Sequence, residues 1–538
     1  MNKEWAYGFD VSGFVHLPGV LTTADVEACN RAIDAVDGNE EGPAWTAPQG
    51  EPFRMLMDHP VLKSCLEALC GKGYMVDEQP AMISAGPEAA VGVPLTAGDP
   101  ERNCRLRYVN QPNGRICHGL RVVWCLEDTR PGEEGIVLVP ASHNRRMEPP
   151  QKLLSGETDS EMTEEPALAA GDLLLVAETT LRGVRGRPRL VESLFTSAMM
   201  MPNGGFAETP APAWTLELDP EQQVIVGPRT TGRGGTVLSD GQRVRVASEA
   251  ECPEIRTSGQ NTRTVSNPDE VWFWDVRGYL VLRGVMDEAW LTAAHAAIDT
   301  VIEAQPDLPE GHPAAFEEVP EAVLRENDWK WPAETSSRIR GEVHRPRIGG
   351  LYHLPRTDCD AFRKMIAHPA IVERLNWMLG LGYKESIEPM CCIYPKGTTG
   401  GSLHGQNRFD HGACGFLPQM DRVNVLWALN DEAPGFEDNS GGFICIPGSH
   451  KASCEIPRPK TTSIDLPQVH KPAVKAGDVL LFGAVAHGTT AWRSPWNRRC
   501  VIQFMSSQNA LVRPADEVVG WRWSADPANP QNRLKGGP

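Results

Sequence analysis

No CxxC pair occurs among the fourteen cysteines of this 538-residue chain. The only close pair is Cys391-Cys392, and adjacent cysteines rarely bridge each other. Scattered thiols of this kind exclude a disulfide framework and read as a reduced, intracellular chain. The start, MNKEWAYGFD, has no apolar h-region. No apolar run approaches the roughly eighteen residues that a membrane span needs. The expectation is a cytoplasmic protein with no membrane partner. Positive charge is scarce too: the formal net charge is −18. That balance argues against a phosphate backbone or an anionic lipid surface, so no nucleic-acid partner is expected. The Gly-rich GTTGG ending at Gly401 is followed by neither GK[ST] nor a helix, which excludes a phosphate loop. No Ser-His-Asp order comes with a nucleophile elbow.

What is present is a repeat. DVSGFVHLPGVL at Asp10 answers DVRGYLVLRGVM at Asp275. HPVLKSCLEALCGKGYMVDEQP at His59 answers HPAIVERLNWMLGLGYKESIEP at His368. VVWCLED at Val122, VPASHN at Val139 and AGDLLL at Ala170 answer VLWALND at Val425, IPGSHK at Ile446 and AGDVLL at Ala476. Five blocks in one order read as a tandem duplication. The reading is a domain over 1–205, an irregular connector over 206–266 and a second domain over 267–538. Each is long enough to bury a core, and 41% hydrophobic with 23% charged residues is ordinary for a globular protein.

Each copy opens with a short strand, Gly13–Leu17 or Gly278–Leu282. Helices follow over Thr23–Val36 and Asp287–Ala304, with Thr22 or Thr23 as N-cap. A second pair covers Val61–Leu69 and Ile371–Leu379. Beyond these, short Val/Leu/Ile/Phe/Trp runs alternate with Gly, Pro, Asn and Asp turns, as in Gly119–Leu126, Gly135–Val139, Asp172–Val176, Val423–Leu429, Gly442–Ile446, Asp478–Phe482 and Cys500–Met505. This spacing suits an antiparallel sandwich or barrel. The fold class is mainly β with flanking helices (α+β).

The second copy holds histidines that the first lacks. His404 stands in the Gly-flanked loop GGSLHGQNRFDHG, and His487 stands at a strand end in LLFGAVAHGTTAWRSPWNRR. Arg498 follows His487 by eleven positions. Two strand-edge histidines can converge across the mouth of a β core, and with one carboxylate they make the facial triad of non-haem Fe(II) oxygenases. An arginine on the adjacent strand can clamp a carboxylate bidentately. Only one of Arg498 and Arg499 can face inward from a strand, and Arg498 is favoured.

His404, the strand Val423–Leu429, GGFICIPGSHK, AGDVLLF and the His-Gly with its following Arg together resemble the phytanoyl-CoA dioxygenase family. The resemblance covers most of 263–515 and, less fully, 5–200. It implies two double-stranded β-helix (jelly-roll, cupin-like) domains in tandem and an Fe(II)/2-oxoglutarate-dependent oxygenase. It implies that His404 and His487 are the iron histidines and that Arg498 is the 2-oxoglutarate arginine. Where the family has His-x-Asp, this chain has His404-Gly405-Gln406. The Gln406 amide either coordinates as a poorer third ligand or leaves a position open. Asp410 and His411 in the same loop are alternatives. Lys396 either touches the cosubstrate or is a solvated turn lysine.

The first copy carries Leu181 or Arg182 where the distal histidine belongs, and His118 lies too close to its strand. It reads as a degenerate, metal-free domain kept for stability, homodimerisation or cover. His143 and His450 recur in both copies and read as structural, and Trp427, matched by Trp124, reads as core. No Lys/Arg cluster suits a CoA phosphate, so the expected substrate is a small organic molecule. The alternatives are an impaired tandem jelly-roll that only binds a small molecule, and an oligomeric scaffold.

Overall fold

The computed structural model describes residues 1–35, 50–57, 59–71, 74–85, 92–97, 106–111, 114–157, 162–197, 267–303, 338–342, 345–349, 351–366, 368–380, 383–394, 398, 400–405, 422–432, 441–458, 463–506 and 521–522. The connector expected over 206–266, Lys396, Gln406, Asp410 and His411 lie outside the described residues. The chain divides into two compact units. One comprises Met1–Thr262 with Lys451–Pro457, the other Arg263–His450 with Arg458–Pro538. No helix among the described residues is long and apolar enough to cross a membrane.

The N-terminal unit contains β1 (Phe14–Leu17), β2 (Met75–Met82), β3 (Tyr108–Gln111), β4 (Gly114–Cys117), β5 (Gly119–Cys125), β6 (Gly135–Leu138), β7 (Leu173–Ala177), β8 (Arg182–Arg185) and β9 (Leu190–Thr196). Its large sheet runs β1-β7-β5-β9-β2, and β6 pairs with β8. Alternation along β5 sends Val122 and Trp124 into a core shared with helical Leu62, Leu66 and Leu69. Val123 and Cys125 point the other way and pack with Ile136 and Leu138 of the small sheet. Side chains from both sheets thus meet in one interior, which defines a sandwich.

The C-terminal unit contains β10 (Tyr279–Leu282), β11 (Arg338–Glu342), β12 (Arg345–Gly349), β13 (Lys384–Tyr394), β14 (Gly401–His404), β15 (Arg422–Ala428), β16 (Gly442–Ile446), β17 (Val479–Phe482), β18 (Ala486–Thr490), β19 (Arg498–Ser506) and β20 (Trp521–Arg522). Its large sheet runs β10-β17-β15-β19-β13-β12-β11, with β20 also on β13. The small sheet runs β14-β18-β16. Cys392, Leu426, Ala428, Leu480, Phe482 and Cys500 of the large sheet form one buried cluster with Phe443 and Cys445 of the small one. Cys391 is buried as well, so the adjacent thiols lie within a strand.

The first five strands of each large sheet follow one order, and their registers correspond. Phe14 pairs with Val176 as Tyr279 pairs with Phe482. Cys125 pairs with Leu190 as Ala428 pairs with Cys500. One expectation needs correction: each unit opens with a helix, not a strand. Lys3–Ser12 precedes β1, and Pro268–Arg277 precedes β10. The second helix buries Val271, Trp272, Trp274 and Val276 around much of its circumference, so no amphipathic period marks it. Its start was nonetheless written in the sequence. Asn267 caps the amides of Asp269 and Glu270, and Pro268 takes the first turn, where its missing N–H costs nothing.

Candidate active site

β14 and β18 bring His404 and His487 together. The two are register partners, and their ring centroids lie 4.4 Å apart. Each imidazole is oriented by its own strand: His404 Nδ1 bonds the Ser402 carbonyl at 2.9 Å, and His487 Nδ1 bonds the Val485 carbonyl at 2.8 Å. A carbonyl only accepts, so in each ring Nδ1 carries the proton and Nε2 keeps its lone pair. That is the tautomer of a metal ligand, and a carbonyl on the other nitrogen is its usual support.

His487 packs edge-on against Phe482 at 4.7 Å and parallel to Phe443 at 6.3 Å. Burial, and secondarily the neighbouring His404, push its pKa down to about 4, so it is neutral near pH 7. The glycine after His404 is required. Gly405 has φ +83°, and a Cβ there would lie 2.4 Å from Cε1 of His487.

Arg498 opens β19 and is 2% exposed. It lies on the same face as Cys500, towards the inter-sheet interior. Tyr394, its register partner on β13, lies under the guanidinium at 4.6 Å. Nε donates a short hydrogen bond to Glu432 Oε1, while Nη1 and Nη2 are buried without a partner among the described residues. Glu432 Oε2 accepts the Phe443 amide at 2.8 Å, so one residue carries both the amide bonded to the Arg498 partner and the ring beside His487. Arg499 points the opposite way, to Asp299 at 2.6 Å. At the corresponding place in the N-terminal unit Arg189 pairs with Asp34. The arginine common to both units therefore ties strand to helix, and the one without a counterpart faces inward.

Sequence reasoning missed Glu432, Tyr394 and Phe443. For Glu432 a signal existed: aligning VVWCLEDT with VLWALNDE sets it against Thr129. A carboxylate replacing a hydroxyl at a buried strand end asks for a cationic partner.

The N-terminal unit fills the equivalent space differently. Arg182 pairs with Leu138 as His487 pairs with Cys445, so Arg182, not Leu181, stands at the position that corresponds to His487. Arg182 Nη2 meets Glu178 at 3.3 Å. Arg121 faces the same interior and bonds Glu78, Glu178 and Glu192. His118 bonds Ser197 at 2.8 Å, and burial pushes its pKa down to about 4. His143 and His450 repeat one role: Nε2 of each bonds the carbonyl of Asp10 or Asp275 across the turn. Trp427 is fully buried and donates to Gln503 Oε1 at 2.7 Å.

Among the described residues no group of three or more His, Cys, Asp or Glu is placed to hold a metal. The donor set that is present fits an iron centre in part: two imidazoles with Nε2 available, and a buried open guanidinium for a carboxylate cosubstrate.

Residues 274–500 match the model of the phytanoyl-CoA dioxygenase (PhyH) family. The match includes His404, His487 and Arg498. No curated protein matches the chain. Similar solved structures include HygX from Streptomyces hygroscopicus with nickel and 2-oxoglutarate bound, 18% identical, covering 45% of this chain and 88% of that one with a TM-score of 0.33. EctD from S. alaskensis with 2-oxoglutarate and 5-hydroxyectoine is 17% identical, covering 48% and 82%, with a TM-score of 0.34. The non-heme alpha ketoglutarate dependent carbocyclase SnoK from nogalamycin biosynthesis is 18% identical, covering 46% and 87%, with a TM-score of 0.32. These likenesses are partial, and the chemistry of the C-terminal unit is read from its side chains.

Proposed function

We propose that the C-terminal unit is a non-haem Fe(II)/2-oxoglutarate-dependent oxygenase that oxidises a small organic substrate. The observation that carries this is the pair of imidazoles, each with Nδ1 tied to its own strand and Nε2 left to coordinate, in a sandwich whose interior also holds an arginine with both terminal nitrogens unpartnered. His404 and His487 would hold the iron, and Gln406 would be a third, neutral ligand. Arg498 would take the far carboxylate of 2-oxoglutarate. Iron and cosubstrate, once bound, would supply, with O₂ as the oxidant, the oxidation of an unactivated C–H bond, coupled to decarboxylation of 2-oxoglutarate to succinate and CO₂. The chain's own part is geometric and electrostatic. The carbonyls of Ser402 and Val485 fix the ring tautomers, Phe443 and Phe482 keep water from one side of His487, and Tyr394 and Glu432 hold the guanidinium.

The N-terminal unit is, in this reading, the degenerate copy of a tandem duplication. Matching strand order, the shared His143/His450 turn and the shared outer Arg–Asp pair support it. Arg182 in the histidine position and the carboxylates around Arg121 support the absence of metal there.

A second reading, an impaired binding protein on the same scaffold, draws on Gln406, since an amide cannot cancel charge on iron. Anaerobic Fe(II) titration and aerobic succinate release, on wild type and Gln406→Asp, separate the two. The oxygenase reading expects iron-dependent succinate from the wild type, with tighter iron binding and faster turnover in Gln406→Asp. Iron binding by neither form hands the lead to the binding protein. No change in Gln406→Asp, with loss in Asp410→Ala, moves the third ligand to Asp410.

A further inference from the structure

We infer that Glu432 is a positioning residue that turns the guanidinium of Arg498 so that a carboxylate is received end-on, by Nη1 and Nη2. The inference rests on the oxygenase reading and deepens it. A guanidinium offers a carboxylate two forked edges, Nε with one Nη, or the two Nη atoms together. Glu432 Oε1 already accepts from Nε, so the first edge is closed. The second is open: Nη1 and Nη2 are buried and have no partner among the described residues. Buried donors are almost always satisfied in folded proteins, so two adjacent orphans on one fork mark the place of an absent acceptor.

Glu432 is itself held from several sides. Its backbone N–H bonds the Val474 carbonyl at 2.8 Å, and its Oε2 accepts the Phe443 amide at 2.8 Å. Gly442, at φ +126°, makes room for the carboxylate, because a Cβ there would lie 2.3 Å from Oε2. With Tyr394 beneath the plane and Glu432 on Nε, the guanidinium has little freedom to tilt or rotate. The charge arithmetic matters too. Arg498 and Glu432 are one positive and one negative group, each nearly fully buried. An incoming carboxylate is therefore held by two directed hydrogen bonds more than by net attraction. Geometry is what Glu432 contributes. The N-terminal unit supplies the contrast: Arg121 gives Nε and Nη2 to Glu178, and Nη1 to Glu78 and Glu192, leaving no fork open.

The test uses the full chain loaded with Fe(II) under nitrogen. Dissociation constants are measured for 2-oxoglutarate and for glutarate, which lacks the keto group and depends on the far-carboxylate site. Glu432→Ala releases Nε and is expected to raise both constants about tenfold or more, with Fe(II) affinity within about twofold of wild type. Glu432→Gln keeps an acceptor at Oε1 and is expected to stay within about threefold of wild type. It also serves if Glu432→Ala misfolds. In separate aerobic assays, Glu432→Ala should raise the KM for 2-oxoglutarate by a larger factor than it lowers kcat. Unchanged constants in Glu432→Ala overturn the inference, and so does an equal loss of iron and cosubstrate, which marks a folding residue. A crystal structure with the carboxylate on Nε overturns it as well. If the wild type binds glutarate with this pattern of variants yet forms no succinate, the oxygenase reading falls while the positioning role stands. Binding of neither acid by the wild type overturns both.

Discussion

Gly405 illustrates how little room the histidine pair has. Its left-handed backbone and the 2.4 Å approach of a would-be Cβ to His487 leave glycine as the one residue that fits without displacing the imidazole. Gly405→Ala is expected to weaken Fe(II) binding about tenfold or more while the fold persists, because β14 is an edge strand and can give where a central strand cannot. Isothermal titration under nitrogen, beside a thermal melt, checks it; wild-type affinity would show that His487 is not a ligand. Arg498 and Arg499 make a second test at this scale. Arg498→Ala should abolish measurable 2-oxoglutarate binding. Arg499→Ala loses a half-exposed pair with Asp299 and should cost only about 0–1 kcal/mol of stability, with cosubstrate affinity unchanged. The opposite ranking would refute the inward assignment of Arg498.

The elements that aim His487 are fixed from behind. Ser449 Oγ accepts the Ala486 amide at 2.8 Å and donates to the Ile446 carbonyl, which clips β16 to the start of β18. Gly278, at φ +75°, ends the helix Pro268–Arg277 where a Cβ would lie 2.4 Å from Val485 and 2.5 Å from His450. Val485 is also the residue whose carbonyl holds His487 Nδ1. Gly278→Ala should therefore cost stability, by about 1–3 kcal/mol, and loosen iron binding as well. Thr22→Ala removes the capping box of the helix Thr23–Asp34 in the other unit and should cost about 1 kcal/mol with no effect on iron. Urea denaturation paired with metal titration separates these outcomes. Much of this layer was legible in the sequence, because period-two alternation and turn residues are local signals. The strands from Gly119 to Met505 fall within a residue or two of their expected bounds, and the PxSH histidines proved to be turn braces. Less legible were the two opening helices, whose burial on many sides erases periodicity, and Glu432. Its meaning comes from a partner 66 positions away, which no local pattern encodes.

At the scale of the whole chain, buried histidines set an acid limit, among them His143 and His470. Burial is the leading cause at both. It pushes His143 down to about 3 and His470 down to about 4. An unfolded chain binds protons at these rings near pH 6.5, and the folded chain does not. Their contribution to stability is thus complete above about pH 6.5 and is lost as pH falls towards 4. At pH 5 unfolding should take up about two protons from this pair, seen as urea midpoints that fall with pH, and His470→Gln should reduce the uptake by about one. Each sandwich has an interior position opposite the second residue before the proline of the PxSH turn, filled by His487 in one and by Arg182 in the other. A guanidinium carries no lone pair for a metal at neutral pH, and Glu178 already holds it. Near that position, Arg121 bonds three carboxylates of its own unit, so neither edge of its guanidinium is open as a fork for a dicarboxylate. The full chain should therefore bind one Fe(II) and one 2-oxoglutarate, and His487→Ala should remove iron binding entirely rather than halve it. A stoichiometry near two, or a residual site in His487→Ala, would mean that the N-terminal sandwich binds metal after all.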